Sequence, residues 1–419
     1  MIYKRRKKTC SKRASFFVSA HTVDMWEMQG LQTELVEIRR YLHKHAEVGF
    51  DLKSTAAYIE KKLIEYGYAP VRLGGAIVAT VGKKGKTFLL RADMDALPIE
   101  ERTELSYACT NGNMHACGHD MHAAMLLGAA KLLKAREKEL NGRVKLLFQP
   151  AEESLEGAKD AIEKGVLEKP KPQAAMMLHV MTGVPFPAGT AVVAKGVSAP
   201  AADFFSISVQ GKGCHGAAPW NGVDALSVAA RILLGLEEIS AREVSTVKSV
   251  VLTVGKLETE GADNVIADRA VLKGTLRSFD EETRKRVKER VENIARHIAT
   301  AFQAKAQVSY HGGCPTLVND DALSQHTEEV LREYFGKTRV YNSESLGRDV
   351  RAGQGGSEDF AYFTHKIPCV MVAVSAGERE KGYVYPLHHP KVAFDEKVLS
   401  IGATMYAMNA YQWLKKDGG

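Results

Sequence analysis

At 419 residues, 45% of them hydrophobic, the chain is long enough for a deep core and for two or three domains. Its net charge of +7 does not point to nucleic acid: Lys4, Arg5, Arg6, Lys7, Lys8, Lys12 and Arg13 all precede the first acid, Asp24, and the rest of the chain carries 50 basic residues against 50 acidic ones. No stretch is apolar for long enough to span a membrane, and Cys10, Cys109, Cys117, Cys214, Cys314 and Cys369 are scattered as in a reduced cytoplasmic protein rather than a disulfide framework.

Residues 1–25 read as a disordered head or an over-long start, with Met25 or Met28 as the alternative beginnings, because helical periodicity sets in only near Trp26. The apolar run Ala14–Ala20 lies at the lower limit for a signal-peptide core. From Leu31 to Tyr66 apolar residues recur at helical spacing, after which short apolar runs over Ala76–Val81, Thr87–Leu90, Val144–Phe148 and Met176–Val180 predict buried strands. Between them Met121–Leu140 predicts a helix, with Asp120 placed to cap its first amides. This alternation is that of a three-layer α/β/α domain.

The pattern changes near Ala201. Strands are predicted over Phe204–Gln210, Ser249–Leu257, Ala270–Phe279 and Ala306–His311, and helices over Asp224–Ile239 and Asp280–Ala304. The order β-α-β-β-α-β is ferredoxin-like. It divides the chain into an inserted module, 200–312, and a host domain made of 26–199 and 313–419, in which helix and strand alternate again from Asp321.

The densest polar cluster is His115-Ala-Cys117-Gly-His119-Asp120-Met-His122, ahead of the long helix. Thiolate and neutral imidazole are preferred ligands of zinc and similar ions, and a Cys-x-His spacing lets both side chains converge. Downstream, Phe148-Gln-Pro-Ala-Glu152-Glu153-Ser154 ends a strand in a proline turn with two adjacent carboxylates. Neighbours in an extended turn point in different directions, so one can bind metal while the other moves the proton of an attacking water. His179 closes an apolar strand, and His388 lies in Tyr385-Pro-Leu-His388-His389-Pro390. A Glu-Glu pair or a His-His-Pro loop is ordinary surface when alone. Together Cys117, His119, Glu153, His179 and His388 are five candidate ligands on four chain segments, enough for two ions.

These segments resemble the M20 metallopeptidase family, and in particular its amidohydrolase branch of auxin-conjugate hydrolases, hippurate hydrolases, carboxypeptidases and N-acyl-amino-acid deacylases. The resemblance also rests on Arg39-Arg-Tyr-Leu-His-Lys-His45, Arg91-Ala-Asp93-Met-Asp95-Ala-Leu-Pro98, Gly211-Lys-Gly-Cys-His215, Asn264-Val-Ile, Gly274-Thr-Leu-Arg277, Gly356-Ser-Glu-Asp-Phe360 and Leu387-His388, from about residue 31 to the end. It implies a dinuclear metal domain with an inserted ferredoxin-like lid, Cys117, His119, Glu153, His179 and His388 as ligands, and Glu152 as the general base.

The resemblance further implies that the lid carries a homodimer contact and that its His215 reaches the substrate to stabilise the developing oxyanion, while Asn264 and Arg277 hold a substrate carboxylate or amide. Arg91 departs from the wider family, where a metal-binding histidine stands, and Asp93 then either supports a ligand or simply pairs with Arg91. Cys214-His215-Gly216 departs too, since glycine usually precedes that histidine and alanine follows it. The implied reaction is hydrolysis of an N-acyl amino acid or similar conjugate in the cytoplasm, with no nucleic-acid or membrane partner. Its alternatives are a dipeptidase or carboxypeptidase, or a non-catalytic binding protein on the same fold. The donor set suits zinc, cobalt or nickel, and the carboxylate and the family keep manganese open. The acyl pocket is expected from Met181–Pro187, Gly196–Pro200 and Gly353–Gly356, whose side chains do not define one acyl group.

Overall fold

The structure, a computed structural model, describes residues 30–342 and 356–416. The basic head, Met25, Met28 and residues 353–355 of the expected pocket wall lie outside the described residues. The periodic run 31–66 forms two helices, α1 (Leu31–Lys44) and α2 (Lys53–Glu65). They separate because Val48 forms a bridge with Ala96 while the Glu47 carboxylate accepts the amides of Ser54 and Thr55 that open α2.

The host domain continues with strands β1 (Val71–Leu73), β2 (Ala76–Gly82) and β3 (Thr87–Asp93), helix α3 (His119–Ala135), and strand β4 (Arg143–Gln149). After these come α4 (Gly157–Glu163), β5 (Ala174–Met181), β6 (Ala191–Val193) and β7 (Gly196–Ala199). Along β3, Phe88 and Leu90 join the core under α1, α3 and the C-terminal helix, whereas Leu89 joins the core on the other face with Ala158 and Phe360. Along β5, Met176 and Leu178 face the first core and Met177 the second. Burial on both faces is why these strands read as unbroken apolar runs.

The inserted module contains β8 (Ala201–Gln210), β9 (Cys214–His215), α5 (Ala225–Glu238), β10 (Val250–Thr259), β11 (Val265–Ile266), β12 (Arg269–Ser278), α6 (Glu281–Ala301) and β13 (Lys305–Cys314). Its four long strands lie in the order β10-β12-β8-β13, the ferredoxin-like arrangement. Val228, Ile232 and Leu236 of α5 and Val287, Val291 and Ala295 of α6 pack on its buried face. Asp224 and Asp280 cap these helices, their carboxylates accepting from Ser227 N–H at 3.1 Å and Thr283 N–H at 2.8 Å. The short β9–β11 ribbon, absent from the sequence expectation, carries His215 opposite Val265.

The chain returns through β14 (Leu317–Asn319), α7 (Asp321–Phe335), β15 (Val340–Asn342), α8 (Ala361–Thr364), β16 (Cys369–Ser375) and α9 (Val398–Lys415). The host sheet is ordered β1-β2-β4-β3-β5-β16-β6-β15, with β4, β3, β5 and β16 mutually parallel. Their carboxyl ends therefore open on one edge of the sheet, where ligands bind in open α/β domains.

One expectation is corrected. The helix predicted over 121–140 runs from His119 to Ala135, and its cap position is Gly118 at φ +86°, not Asp120. A Cβ at position 118 would lie 2.4 Å from Val180 Cγ2, so the close approach as well as the left-handed backbone selects glycine. Asp120 lies inside the first turn, fully buried, where it accepts from Arg39 Nε at 2.7 Å and His43 Nδ1 at 2.8 Å.

The passage from the module back into the host crosses Gly313, whose φ is +127° and whose Cβ would come 2.1 Å from the Ala202 carbonyl oxygen. Gly313→Ala should therefore lower the urea midpoint, by a cost of roughly 1–3 kcal/mol for the strained backbone; an unchanged midpoint would show that this crossing tolerates a side chain.

Candidate metal centre

The carboxyl-edge loops bring all five expected ligands together. Ligand atoms of Cys117, His119 and His179 lie within 4.8 Å of one another, and so do those of Cys117, Glu153 and His388. Cys117 belongs to both triads. Its Sγ is 3.6 Å from His179 Nε2, while Glu153 Oε1 lies 3.8 Å from His119 Nε2 and 3.5 Å from His388 Nε2.

The imidazoles are oriented from behind. His119 Nδ1 donates to the Asp95 carbonyl at 2.9 Å and His179 Nδ1 donates to the Val180 carbonyl at 2.8 Å, leaving both Nε2 lone pairs for the cluster. His388 adopts φ +65° and its amide donates to the Ala116 carbonyl at 2.9 Å, which ties the C-terminal loop to the Cys117 loop. Asp95, given no role by the sequence alone, accepts the amides of Glu152 at 3.1 Å and Glu153 at 3.2 Å and so sets the turn that splays the two carboxylates. His122 is occupied elsewhere: Nδ1 donates to Asp93 at 2.6 Å and Nε2 accepts from Val180 N–H at 2.8 Å. The Arg39–His45 segment clamps Asp120 and hence the first turn of α3, with His43 Nε2 also 3.1 Å from Glu101.

Beneath the cluster Arg91 is wholly buried. Its guanidinium reaches Asp93 at 2.9 Å, Asp359 at 2.8 Å, Glu358 at 3.1 Å and Gln149 at 3.0 Å. Asp93 pairs with Arg91 and also accepts from His122, which is not one of the five expected ligands; His119 Nε2 lies 3.8 Å from its other oxygen. Glu358 and Asp359 belong to a quoted motif, yet nothing in the sequence alone gave them a partner 267 or more positions away in Arg91.

The electrostatics fit a cation. Burial, with the carboxylates of Glu358, Glu153 and Asp359, pushes Glu152 well above the usual carboxylate range. Burial pushes Glu153 up to about 7 and raises the Cys117 thiol well above its ordinary value. Burial, with His122, pushes His179 down to about 3, so it presents a neutral imidazole. His119 Nε2 and Glu153 Oε1 are buried with no hydrogen-bond partner among the described residues. Orphaned lone pairs and crowded acids are what divalent ions would satisfy.

The lid residues stand apart. His215 is exposed, its Nδ1 accepting from Ala217 N–H at 3.0 Å, and Asn264 is exposed with its carbonyl accepting from Gly216 N–H at 2.7 Å. Arg277 alone reaches the host, donating to Ser357 Oγ at 2.6 Å beside Glu358.

For a metal held here, affinity should fall as pH falls, because a ligand must lose any proton it carries. The raised Cys117 thiol and the raised His119 imidazole each carry a proton that must leave, and Glu153 adds another below about 7. Affinity should therefore fall by more than about tenfold for each unit the pH drops, and more steeply below about pH 7 than above it; a flat profile in competitive zinc titration would exclude this ligand set.

Residues 89–412 match the peptidase family M20/M25/M40. The chain is 38% identical to an N-acetyl-L-cysteine deacetylase of Bacillus subtilis over 88% of this chain and 85% of that protein. It is 37% identical to a hippurate hydrolase of Campylobacter jejuni, covering 93% and 99%, and 33% identical to a thermostable carboxypeptidase of Saccharolobus solfataricus, covering 93% and 98%. Among solved structures it is similar to an aminohydrolase from methicillin-resistant Staphylococcus aureus described as putative, with TM-score 0.84 and 32% identity over 92% and 97% of the two chains. It is also similar to a dinuclear metal binding peptidase of the M20 family from Bacillus subtilis, with TM-score 0.75 and 30% identity over 93% and 99%. With most of its length matched and its cysteine-containing ligand cluster in place, this chain belongs to the M20/M25/M40 peptidase family, in its amidohydrolase branch.

Proposed function

We propose that the protein hydrolyses the amide bond of an N-acyl amino acid or similar small conjugate, releasing a carboxylic acid and an amino acid. The observation that carries this reading is the convergence of Cys117, His119, Glu153, His179 and His388 on one cluster, with the Glu152 carboxylate beside it, 3.8 Å from His119 Nε2 and close to both Glu153 and Glu358. Cys117, His119, Glu153, His179 and His388 would hold two divalent ions, which when bound would supply Lewis acidity toward the amide carbonyl and the attacking water. Zinc or manganese fits the donors best, with cobalt and nickel as alternatives.

The chain's own groups do the rest. Glu152 is buried, with its Oε1 accepting weakly from Asp359 N–H at 3.4 Å, and its raised proton affinity suits a group that takes a proton from water and then gives it to the leaving nitrogen. Arg277, anchored on Ser357, offers a cation to the substrate carboxylate, and Asn264 a side-chain amide. Residues 200–312 serve as lid and homodimer contact, the host being 26–199 with 313–419. His215 then approaches the carbonyl oxygen from the lid, across the dimer. None of the described helices is long and apolar enough to cross a membrane, and we place the enzyme in the cytoplasm. The carboxypeptidase relative supports a second reading, in which the acyl group is itself a peptide.

Metal-stripped protein resupplied with zinc, manganese or cobalt should release amine from members of a panel of N-acyl amino acids and dipeptides. Glu152→Gln should retain its metal content while turnover falls about 10²- to 10⁴-fold; undiminished turnover would remove Glu152 as the base. His215→Ala should fold and load metal yet turn over poorly, and mixing it with Glu152→Gln should restore part of the activity through hybrid dimers. Absence of that complementation would confine His215 to its own chain.

A further inference from the structure

The ligand set and Glu152 leave one buried acid beside the site without a task. Glu358 is 5% exposed, and its two oxygens differ. Oε1 accepts from Phe360 N–H at 2.9 Å and lies 3.1 Å from Arg91. Oε2 is buried with no hydrogen-bond partner among the described residues. Asp359 next to it is fully engaged, accepting from Arg91, Gln149 and Ala158 N–H. A carboxylate oxygen buried without a donor costs on the order of 1–3 kcal/mol or more, so a site that retains one is organised for a donor that arrives.

We infer that Glu358 receives the scissile nitrogen of the substrate, accepting its N–H and holding it as it becomes the leaving amine. This rests on the amide hydrolysis proposed above. One carboxylate oxygen each of Glu152, Glu358 and Asp359 lies within 4.8 Å of the others. An N–H···O bond spans about 2.9 Å, so one nitrogen can touch two oxygens as much as about 5.8 Å apart. A nitrogen that takes a proton from Glu152 on the side facing Glu358 can therefore meet Glu358 as well.

The chemistry requires a negative charge at that point. Water adds to the carbonyl carbon and its proton passes to Glu152. The nitrogen of the tetrahedral adduct takes that proton and becomes positive, the C–N bond then breaks with its electron pair going to nitrogen, and the proton of the new carboxylic acid passes to the amine, leaving carboxylate and ammonium. Nitrogen is therefore positive before cleavage and again in the product, and a fixed carboxylate stabilises it where a neutral group does not. Arg91 holds Oε1 and leaves Oε2 for the amine. Ser357, the residue before Glu358, receives Arg277 at 2.6 Å. An amino acid has its amine and carboxylate on one carbon, and this irregular stretch of three residues offers an anion for the first and borders a cation for the second.

The test compares an amide with the ester that has oxygen in place of its N–H, for example N-benzoylglycine against O-benzoylglycolate, on one zinc-loaded preparation of wild type and of Glu358→Gln. The ester has no N–H to donate and its leaving oxygen develops no ammonium. Glu358→Gln should lower kcat/KM for the amide about 10- to 100-fold while the ester changes by no more than about threefold. Losses of folded or metal-loaded enzyme affect both substrates alike and cancel in the ratio. Equal loss on amide and ester, or no loss on either, would overturn the assignment and leave Glu358 as a partner of Arg91 alone. A wild type that cleaves neither these nor any N-acyl amino acid of the panel would instead overturn the amide-hydrolase reading itself.

Discussion

The buried guanidinium of Arg91 is the interaction on which the rest of the site depends. It sits at the carboxyl edge of β3, 3.0 Å from Gln149 at the end of β4, 3.4 Å from Met177 Sδ on β5, and against Asp359 and Glu358 from the far end of the chain. One fixed charge thus gathers three strands and a distant loop. It also gives the buried carboxylates of Asp93, Asp359 and Glu358 a common cationic partner, and an unpaired buried charge is far costlier than a paired one. Arginine keeps its charge where a histidine would not, and its planar fork supplies separate donors to each partner. A cation built into the floor of the site and five lone-pair donors above it amount to a division of labour between permanent and exchangeable positive charge.

The candidate metal cluster was legible in the sequence because its chemistry is concentrated in unusual residue types: Cys117 and His119 two positions apart, Glu152 beside Glu153, and His179 closing an apolar run. The supports of those residues were not. Asp95 works through carboxylate bonds to backbone amides more than fifty positions away, and His122 looks like a ligand until Asp93 and Val180 are seen to occupy both ring nitrogens. Nor did spacing separate Asp120 from an ordinary cap, because its partner Arg39 comes from a different helix.

The architecture divides in the same way. Strands buried on both faces were legible as apolar runs, and so was the β-α-β-β-α-β order of the inserted module, while its β10-β12-β8-β13 pairing comes from the structure. Short elements such as β6, β7, β14 and β15 span only three or four residues each and leave no periodic trace. The break between α1 and α2 was invisible for another reason: both helices bury residues in the same core, so the apolar rhythm persists across a turn made by Glu47 and Val48.

The position of β16 has a consequence for how the molecule is made. It lies between β5 and β6 in the sheet, yet it follows them by almost two hundred residues, with the whole inserted module between. As the chain leaves the ribosome, the module is complete and able to gather its own core while the host sheet still has a gap at its centre. The nascent host must wait with β5 and β6 unpaired on those edges until the C-terminal segment arrives. The last pieces to dock are also those that bring His388 and cover the sheet with α9, so the five expected ligands do not meet before synthesis is nearly finished.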